Sequence, residues 1–253
     1  MWILITLASA PSTLLAQDSQ DDSSTQLWTN YILSFPRTEK LYLEMDIETA
    51  HQVSGGEPWH YLYGTGMVEY YPNKFIDLTG ELLSGYTYQT SDEDSFETSV
   101  RLGGRLHLLT QIFRSSSFLK KTRPERLPAS RVGIANLARL ELRNFWYSGD
   151  RPSSHDLRFR DRVEFKFAIN KKNLAKDGVW YLMADAEWFV NLSGDETAER
   201  FATKFRARAG LGYRLGYKWR FEALAQLDEA RDTLEEELKV DAYVINLRVK
   251  MFF

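Results

Sequence analysis

The sequence predicts an all-β protein, an antiparallel up-and-down transmembrane β-barrel with about 12 strands. Apolar and polar residues alternate with a period of two almost everywhere after Gln26, which is the pattern of strands with one apolar face. The mean hydropathy is −0.40, and no apolar run after the N-terminus reaches the roughly 18 residues of a membrane helix. A polar average is expected of a membrane barrel, because only every second residue faces lipid.

Length and composition indicate one barrel domain over residues 27–253. The chain has 253 residues, and no polar linker divides it. Residues 1–16 are predicted to be a signal peptide, since Trp2 to Ala10 is short and apolar and Ala16 is a small residue at a plausible cleavage point, although no Lys or Arg precedes the apolar core. Residues 17–26 form a polar, acidic segment. The net charge of −3 argues against nucleic acid as a partner, and the lack of cysteine excludes disulfides and thiolate metal sites.

The alternation marks one strand after another along the chain. It is clearest over 156–170, where Leu157, Phe159 and Phe165 share one face and basic residues occupy the other. The same pattern runs through 41–48, 76–82, 96–108, 139–143, 180–188, 200–211, 219–228 and 245–253. Segments of about ten residues separated by turn residues are typical of repeated hairpins.

The strand number is less sharply defined by the sequence. Short connections at 36–39, 72–74 and 214–217 alternate with longer ones at 53–58, 89–95, 148–155, 191–199 and 229–238, as periplasmic turns and external loops do. Eleven segments can be counted, but single-chain bacterial barrels have an even number of strands. We therefore predict twelve strands, with ten as the alternative; the ambiguous regions are 27–35 and 115–131.

The end of the chain points to a location. Val249, Met251 and Phe253 continue the apolar face of Ile245 and Leu247, and the chain stops on the aromatic residue. This strand resembles the C-terminal assembly signal of bacterial outer-membrane barrels. The resemblance implies the outer membrane of a Gram-negative bacterium, contact with its lipid, and recognition by the barrel-assembly machinery; the oligomeric state stays open.

The apolar faces are predicted to point outward, although periodicity alone also allows a soluble barrel or sandwich with those faces inside. Aromatic residues cluster at the strand ends, as they do at membrane interfaces, namely Tyr70, Tyr71, Phe75, Phe145, Trp146, Tyr147, Tyr213, Tyr217 and Trp219. Asp161, and by its apparent parity Glu69, fall on the lipid-facing side. Because a charge at the bilayer centre is costly, both are expected near an interface or a bulge.

Several motifs support a closer match. They are the opening Gln26-Leu27-Trp28, the glycine-bearing strand 63–70, the turn Tyr71-Pro72-Asn73-Lys74-Phe75 leading to Gly85-Tyr86, and the aromatic C-terminus. Together, over about residues 26–253, they resemble the family catalogued as domain of unknown function 2490. The resemblance implies an outer-membrane barrel and supplies no catalytic residues.

The candidate functional residues are charged side chains on the inner face of the barrel. They are Arg101, Arg105, Arg139, Glu141, Arg143, Arg158, Arg160, Arg162, Glu164, Asp185, Glu187, Lys204, Arg206 and Arg208. Basic rings favour anions in pores, yet Asp185 and Glu187 lie on the strand between the two most basic ones, where they can form cross-strand pairs. The sequence therefore favours a structural barrel or narrow, porin-like pore with a charge-paired lumen, with an anion-preferring passive channel as the alternative.

A lipid-modifying enzyme is a second alternative, and it needs a base such as histidine. His107 shares the polar face with arginines, His155 lies in a predicted loop, and His51 and His60 flank a glycine loop as a weak metal pair. No phosphate-binding loop or nucleophile motif occurs. We predict no catalytic residue, no metal site and no cofactor.

Overall fold

The computed structural model is a closed barrel of eleven β-strands over the residues that it describes. These residues are 23–38, 40–55, 58–73, 75–90, 93–109, 130–193, 203–216, 218–231 and 238–253. The predicted signal peptide and most of the ambiguous region 115–131 lie outside them. In the part of the chain described, no helix is long and apolar enough to cross a membrane.

The strands are long, between 12 and 16 residues. They are β1 (Ser24–Pro36), β2 (Leu41–Ser54), β3 (Trp59–Tyr70), β4 (Ile76–Gln89), β5 (Ser95–His107), β6 (Val132–Tyr147), β7 (Ser154–Ala168), β8 (Val179–Ser193), β9 (Thr203–Leu215), β10 (Trp219–Arg231) and β11 (Lys239–Phe252). β1 begins inside the segment 17–26 that the sequence marks as polar.

Each strand pairs with its neighbour in the chain in antiparallel register, and the ring closes between β1 and β11. These two strands are parallel, with Ser24 opposite Ala242 and Ser34 opposite Phe252. Ser24 and Phe253 therefore lie at opposite ends of the barrel. The predicted all-β barrel is confirmed, but the predicted strand numbers of twelve and ten are wrong. The even-number argument assumes that first and last strands are antiparallel, whereas a parallel pair closes the ring with eleven.

The two faces of the wall are opposite in character. Large apolar side chains such as Leu82, Leu102 and Ile245 are more than half exposed on the outside. The largest fully buried side chains include Glu69, Glu141 and Glu187, which point inward. A water-soluble domain has the reverse distribution, with apolar residues inside and charged residues outside.

Two glycine positions on the inner wall face aromatic rings of neighbouring strands. A Cβ on Gly212 would clash with the ring of Tyr181, and one on Gly85 would clash with the ring of Tyr63. These inward-facing glycines give the rings room to lie flat along the wall. Tyr181 also belongs to a small buried cluster at one end of the barrel, with Ala168, Leu174, Val179, Met183 and Leu224.

The two acidic residues that the sequence assigned to the lipid-facing side lie on different faces of the wall. Glu69 points inward and is 1 % exposed, 3.5 Å from Arg105. The outward placement of Glu69 is therefore wrong, because glycines at 64 and 66 weaken the alternation of β3. Asp161 does lie on the outer face of β7, where its Oδ1 accepts a hydrogen bond from Asn136 Nδ2 at 2.7 Å. That bond provides a partner for a polar group on an apolar wall.

Candidate functional site: the barrel lumen

The fourteen candidate residues all lie on the inner wall of the barrel. Their strands are β5 for Arg101 and Arg105, β6 for Arg139, Glu141 and Arg143, β7 for Arg158, Arg160, Arg162 and Glu164, β8 for Asp185 and Glu187, and β9 for Lys204, Arg206 and Arg208. Neighbouring strands bring them together because every second residue of a strand faces the same side.

Glu141 is the centre of one ion-pair network. Its Oε2 lies 2.6 Å from Arg158 and its Oε1 lies 2.7 Å from Arg160. Arg139 and Arg101 approach the same carboxylate at 3.3 and 3.4 Å. The Glu141 side chain is fully buried, so these arginines replace the water that a buried carboxylate requires.

Glu187 is the second centre, one strand beyond Arg160. Its Oε1 lies 2.7 Å from Arg160, which therefore bridges the two central carboxylates. Arg139, Arg208 and Arg206 lie at 3.8, 3.7 and 4.0 Å from Glu187. Asp185 pairs with Arg208 at 2.7 Å.

Other basic residues of the same strands have different partners from those expected. Arg162 pairs with Glu164 at 2.7 Å within β7, and Lys204 pairs with Asp228 at 2.8 Å. The set of candidate residues omitted inward carboxylates on several strands, namely Glu44, Asp46, Glu48, Glu69, Asp77, Glu81, Glu97, Asp156, Glu222 and Asp228. The period-two parity that located the basic residues also places these acids on the polar face, except Glu69, which it assigned to the lipid-facing side.

Arginine side chains also stack against the ring of Phe189 on β8. The guanidinium carbons of Arg160, Arg158 and Arg206 lie 4.5, 5.0 and 5.4 Å from the ring centroid. Phe189 is only 3 % exposed. Stacked guanidinium groups around a buried ring fill this side of the lumen.

A cavity of about 500 Å³ remains inside the barrel. Its wall includes Asp46 and Glu48 on β2, Arg162 and Lys166 on β7, and Trp28 on β1. Pockets of about 300–1,000 Å³ hold small molecules in proteins. The lumen is therefore partly filled by its own side chains and partly hollow.

The histidines do not assemble a catalytic centre among the described residues. His107 is buried in the lumen with Nε2 3.0 Å from Asp77 Oδ2, as expected for a hydrogen-bonding residue. His155 is exposed and belongs to the start of β7, so its assignment to a loop is wrong. Within the described ranges, no group of three or more His, Asp or Glu residues is placed to hold a metal ion.

His51 and His60 lie opposite each other on the outer face, near the rim of β2 and β3. Their ring centroids are 6.0 Å apart, and His60 stacks on Tyr88 at 4.8 Å. In the adjacent loop, the hydrogen bond from Tyr86 lowers the pKa of Asp94 below its usual range. The rim thus combines aromatic and polar groups.

The C-terminal residues complete the parallel seam. Phe253 is 51 % exposed and stacks on Phe35 of β1, with ring centroids 4.6 Å apart and planes at 12°. Phe252 points inward and is 4 % exposed, with the Arg220 guanidinium 4.6 Å from its ring centroid. The neighbouring residues Phe252 and Phe253 therefore lie on opposite faces of the barrel wall.

Comparison with known proteins places the chain in a family. The sequence model of the family described as "Protein of unknown function (DUF2490)" matches residues 25–228. The chain belongs to this family. The resemblance inferred from the motifs is thereby confirmed, and β11 lies beyond the matched region.

The barrel is similar in fold to a solved structure. LpxR from Salmonella typhimurium superposes with a TM-score of 0.54 at 11 % sequence identity, covering 88 % of this chain and 87 % of that chain. At this identity the likeness concerns the fold alone. No curated protein sequence matches the chain.

Proposed function

We propose that this protein is a β-barrel of the bacterial outer membrane whose lumen is obstructed by paired charges, so that it serves as a structural barrel or a narrow pore. The observation that carries the proposal is the inverted wall, apolar and exposed outside but charged and buried inside. Exposed apolar area on this scale is unfavourable in water and favourable in a bilayer.

The strand lengths fit this environment. A tilted strand needs about 9–11 residues to cross the hydrocarbon core, and every strand here has at least 12. Exposed aromatic side chains near the strand ends, such as Trp146 and Tyr70, suit the two interfaces. Export by a signal ending near Ala16 and insertion through the barrel-assembly machinery belong to the same proposal.

The ion pairs argue for a narrow lumen. Arg160 spans Glu141 on β6 and Glu187 on β8, and Arg139 links Glu81 on β4 with Glu187. The two Arg139 contacts skip β5 and β7, so this side chain extends over the lumen rather than lying along the wall, whereas Arg160 joins the two strands beside its own. An open, water-filled pore of this strand number would leave these groups solvated.

The alternatives receive less support. An anion-preferring channel needs an excess of basic groups in the lumen, but the acidic residues missed by sequence reasoning offset the arginines. A lipid-modifying enzyme needs its base accessible from the outer wall, whereas His107 is 7 % exposed and lies inside the barrel. His51 and His60 do lie on the outer face, but among the described residues no third His, Asp or Glu is placed with them to hold a metal ion.

Fractionation of cells that produce the full chain tests the location. We expect the protein in the outer-membrane fraction, shortened by loss of residues up to about Ala16, with a gel mobility that changes on heating as folded barrels unfold. Recovery of the intact chain as a soluble cytosolic protein would contradict the proposal.

A further inference from the structure

Charge is divided between two walls of the lumen. Strands β1–β4 contain six carboxylates and no Lys or Arg, and all six point inward: Glu44, Asp46, Glu48, Glu69, Asp77 and Glu81. Every described inward Lys and Arg is on β5–β11. The cavity therefore lies between an acidic wall and a predominantly basic wall.

Most carboxylates of the acidic wall reach a basic partner across its borders. Glu81 lies 2.8 Å from Arg139, and Glu44 lies 2.5 Å from Lys250. Asp46 and Glu48 differ, since among the described residues no Lys or Arg nitrogen lies within 4.0 Å of either carboxylate. Neutral groups donate hydrogen bonds to them instead. Asn30 Nδ2 donates to Asp46 at 3.3 Å and to Glu48 at 2.6 Å, and the Tyr61 hydroxyl donates to Glu48 at 2.5 Å.

These neutral donors leave acceptors without partners. Asn30 is 4 % exposed, and its Oδ1 accepts no hydrogen bond from any described residue. Asp46 Oδ1 likewise accepts no hydrogen bond from any described residue. Buried acceptors without donors are costly, and a primary ammonium group supplies three donors and one positive charge. The site at Asn30, Asp46 and Glu48 therefore matches an ammonium group.

The opposite wall supplies the complementary chemistry. β7 lies across the ring from β2. On β7, Arg162 Nε has no acceptor among the described residues, and Lys166 Nζ approaches Glu222 only to 3.9 Å. Both residues line the cavity. Guanidinium and ammonium donors favour a carboxylate or phosphate.

We propose that the lumen binds a small free zwitterion, with its ammonium group at Asn30, Asp46 and Glu48 and its anionic group at Arg162 and Lys166. The inference rests on the proposed function, because it takes the obstructed lumen as a binding cavity. A cavity of about 500 Å³ has room for a solute the size of an amino acid.

Equilibrium dialysis of the purified full chain in detergent tests the proposal with three probe series of matched length. These are straight-chain ω-amino acids of four to eight carbons, the corresponding diamines and the corresponding diacids. We expect at least one ω-amino acid to bind about tenfold more tightly than the diamine and diacid of equal length, because only it satisfies both walls. Equal binding of the three series, or binding of none, would overturn the proposal.

Two matched substitutions locate the ammonium end. Asp46→Asn should weaken binding of the preferred amino acid about tenfold, while Asp150→Asn, the same change on an exposed loop, should leave it unchanged. Heat-modifiable gel mobility of each variant confirms that the barrel is folded. Unchanged affinity in folded Asp46→Asn protein would refute the assigned site. Membrane location and conductance test the proposed function separately. A failure of binding would therefore overturn the zwitterion site without overturning the proposed function.

Discussion

Phe35 and Phe253 stack face to face across the parallel seam where the first and last strands of the barrel meet. The contact joins the C-terminal residue to the end of β1, and the backbone N–H of Phe253 donates to Ser34 O at 3.0 Å. Ring closure and the assembly signal predicted from the sequence therefore occupy the same place.

Phe253 and Phe252 should have separable roles. We expect Phe253→Ser to reduce the amount of folded barrel in cells, since it removes the exposed aromatic end of the signal and a stacking contact of about 0.5–1.5 kcal/mol. Phe252→Ser should instead lower the stability of purified, refolded protein, because Phe252 is buried under Arg220. Cellular yield and unfolding midpoint distinguish the two, and identical effects of both variants on both measurements would contradict these roles.

Removal of the central carboxylate should be strongly destabilising. Glu141→Gln leaves Arg158 without its shortest charged contact and Arg160 without one of its two contacts at 2.7 Å. Loss of one partner of a buried pair costs about 3–5 kcal/mol. The free energy of unfolding in denaturant, measured after refolding in detergent, checks this. Asp150→Asn is the control, and a Glu141→Gln effect as small as that of the control would show that Glu141 is not buried among arginines.

Two glycines provide a steric test of the wall. Gly212→Ala should destabilise the barrel by about 1–3 kcal/mol, because the added Cβ displaces the ring of Tyr181. Gly66→Ala is the matched control, since nothing lies within 4 Å of its Cβ position. Unfolding midpoints of the two variants should therefore differ, and equal midpoints would contradict the packing of Tyr181.

The polar pair on the outer wall allows a double-mutant cycle. Asn136→Leu should cost about 1–3 kcal/mol, because it removes the donor that Asp161 uses on an apolar surface. Replacement of both residues by Leu should recover most of that loss, since no polar group is then left without a partner. If the double variant is as unstable as the sum of the two single variants, Asn136 and Asp161 do not interact.

The sequence predicted the barrel, the outward apolar face and the inward parity of the arginines, because each follows from a period of two. The alternation also yields the observed count of eleven segments, but the even-number rule replaced that count by twelve, since the parallel pairing of β1 and β11 leaves no mark in the alternation. The sequence did not predict which carboxylate each arginine contacts. Arg160 reaches across to Glu187 whereas Arg162 turns to Glu164 on its own strand, and such choices depend on side-chain packing in three dimensions.

The division of the lumen into two walls was visible in the sequence in principle. From Ser24 to Val100 the only Lys and Arg residues are Arg37, Lys40 and Lys74, and none of them belongs to a described strand. The role of Asn30 was not visible, because an asparagine gains significance there only through its place beside Asp46 and Glu48.

Conductance in planar lipid bilayers tests the central claim most directly. The wild-type protein should insert and show little or no conductance, because ion pairs centred on Glu141 and Glu187 obstruct its lumen. Asp185→Ala combined with Glu187→Ala should destabilise the barrel or admit anions, since it releases Arg208 and weakens the hold on Arg160. A large, stable wild-type conductance that both substitutions leave unchanged would contradict the account.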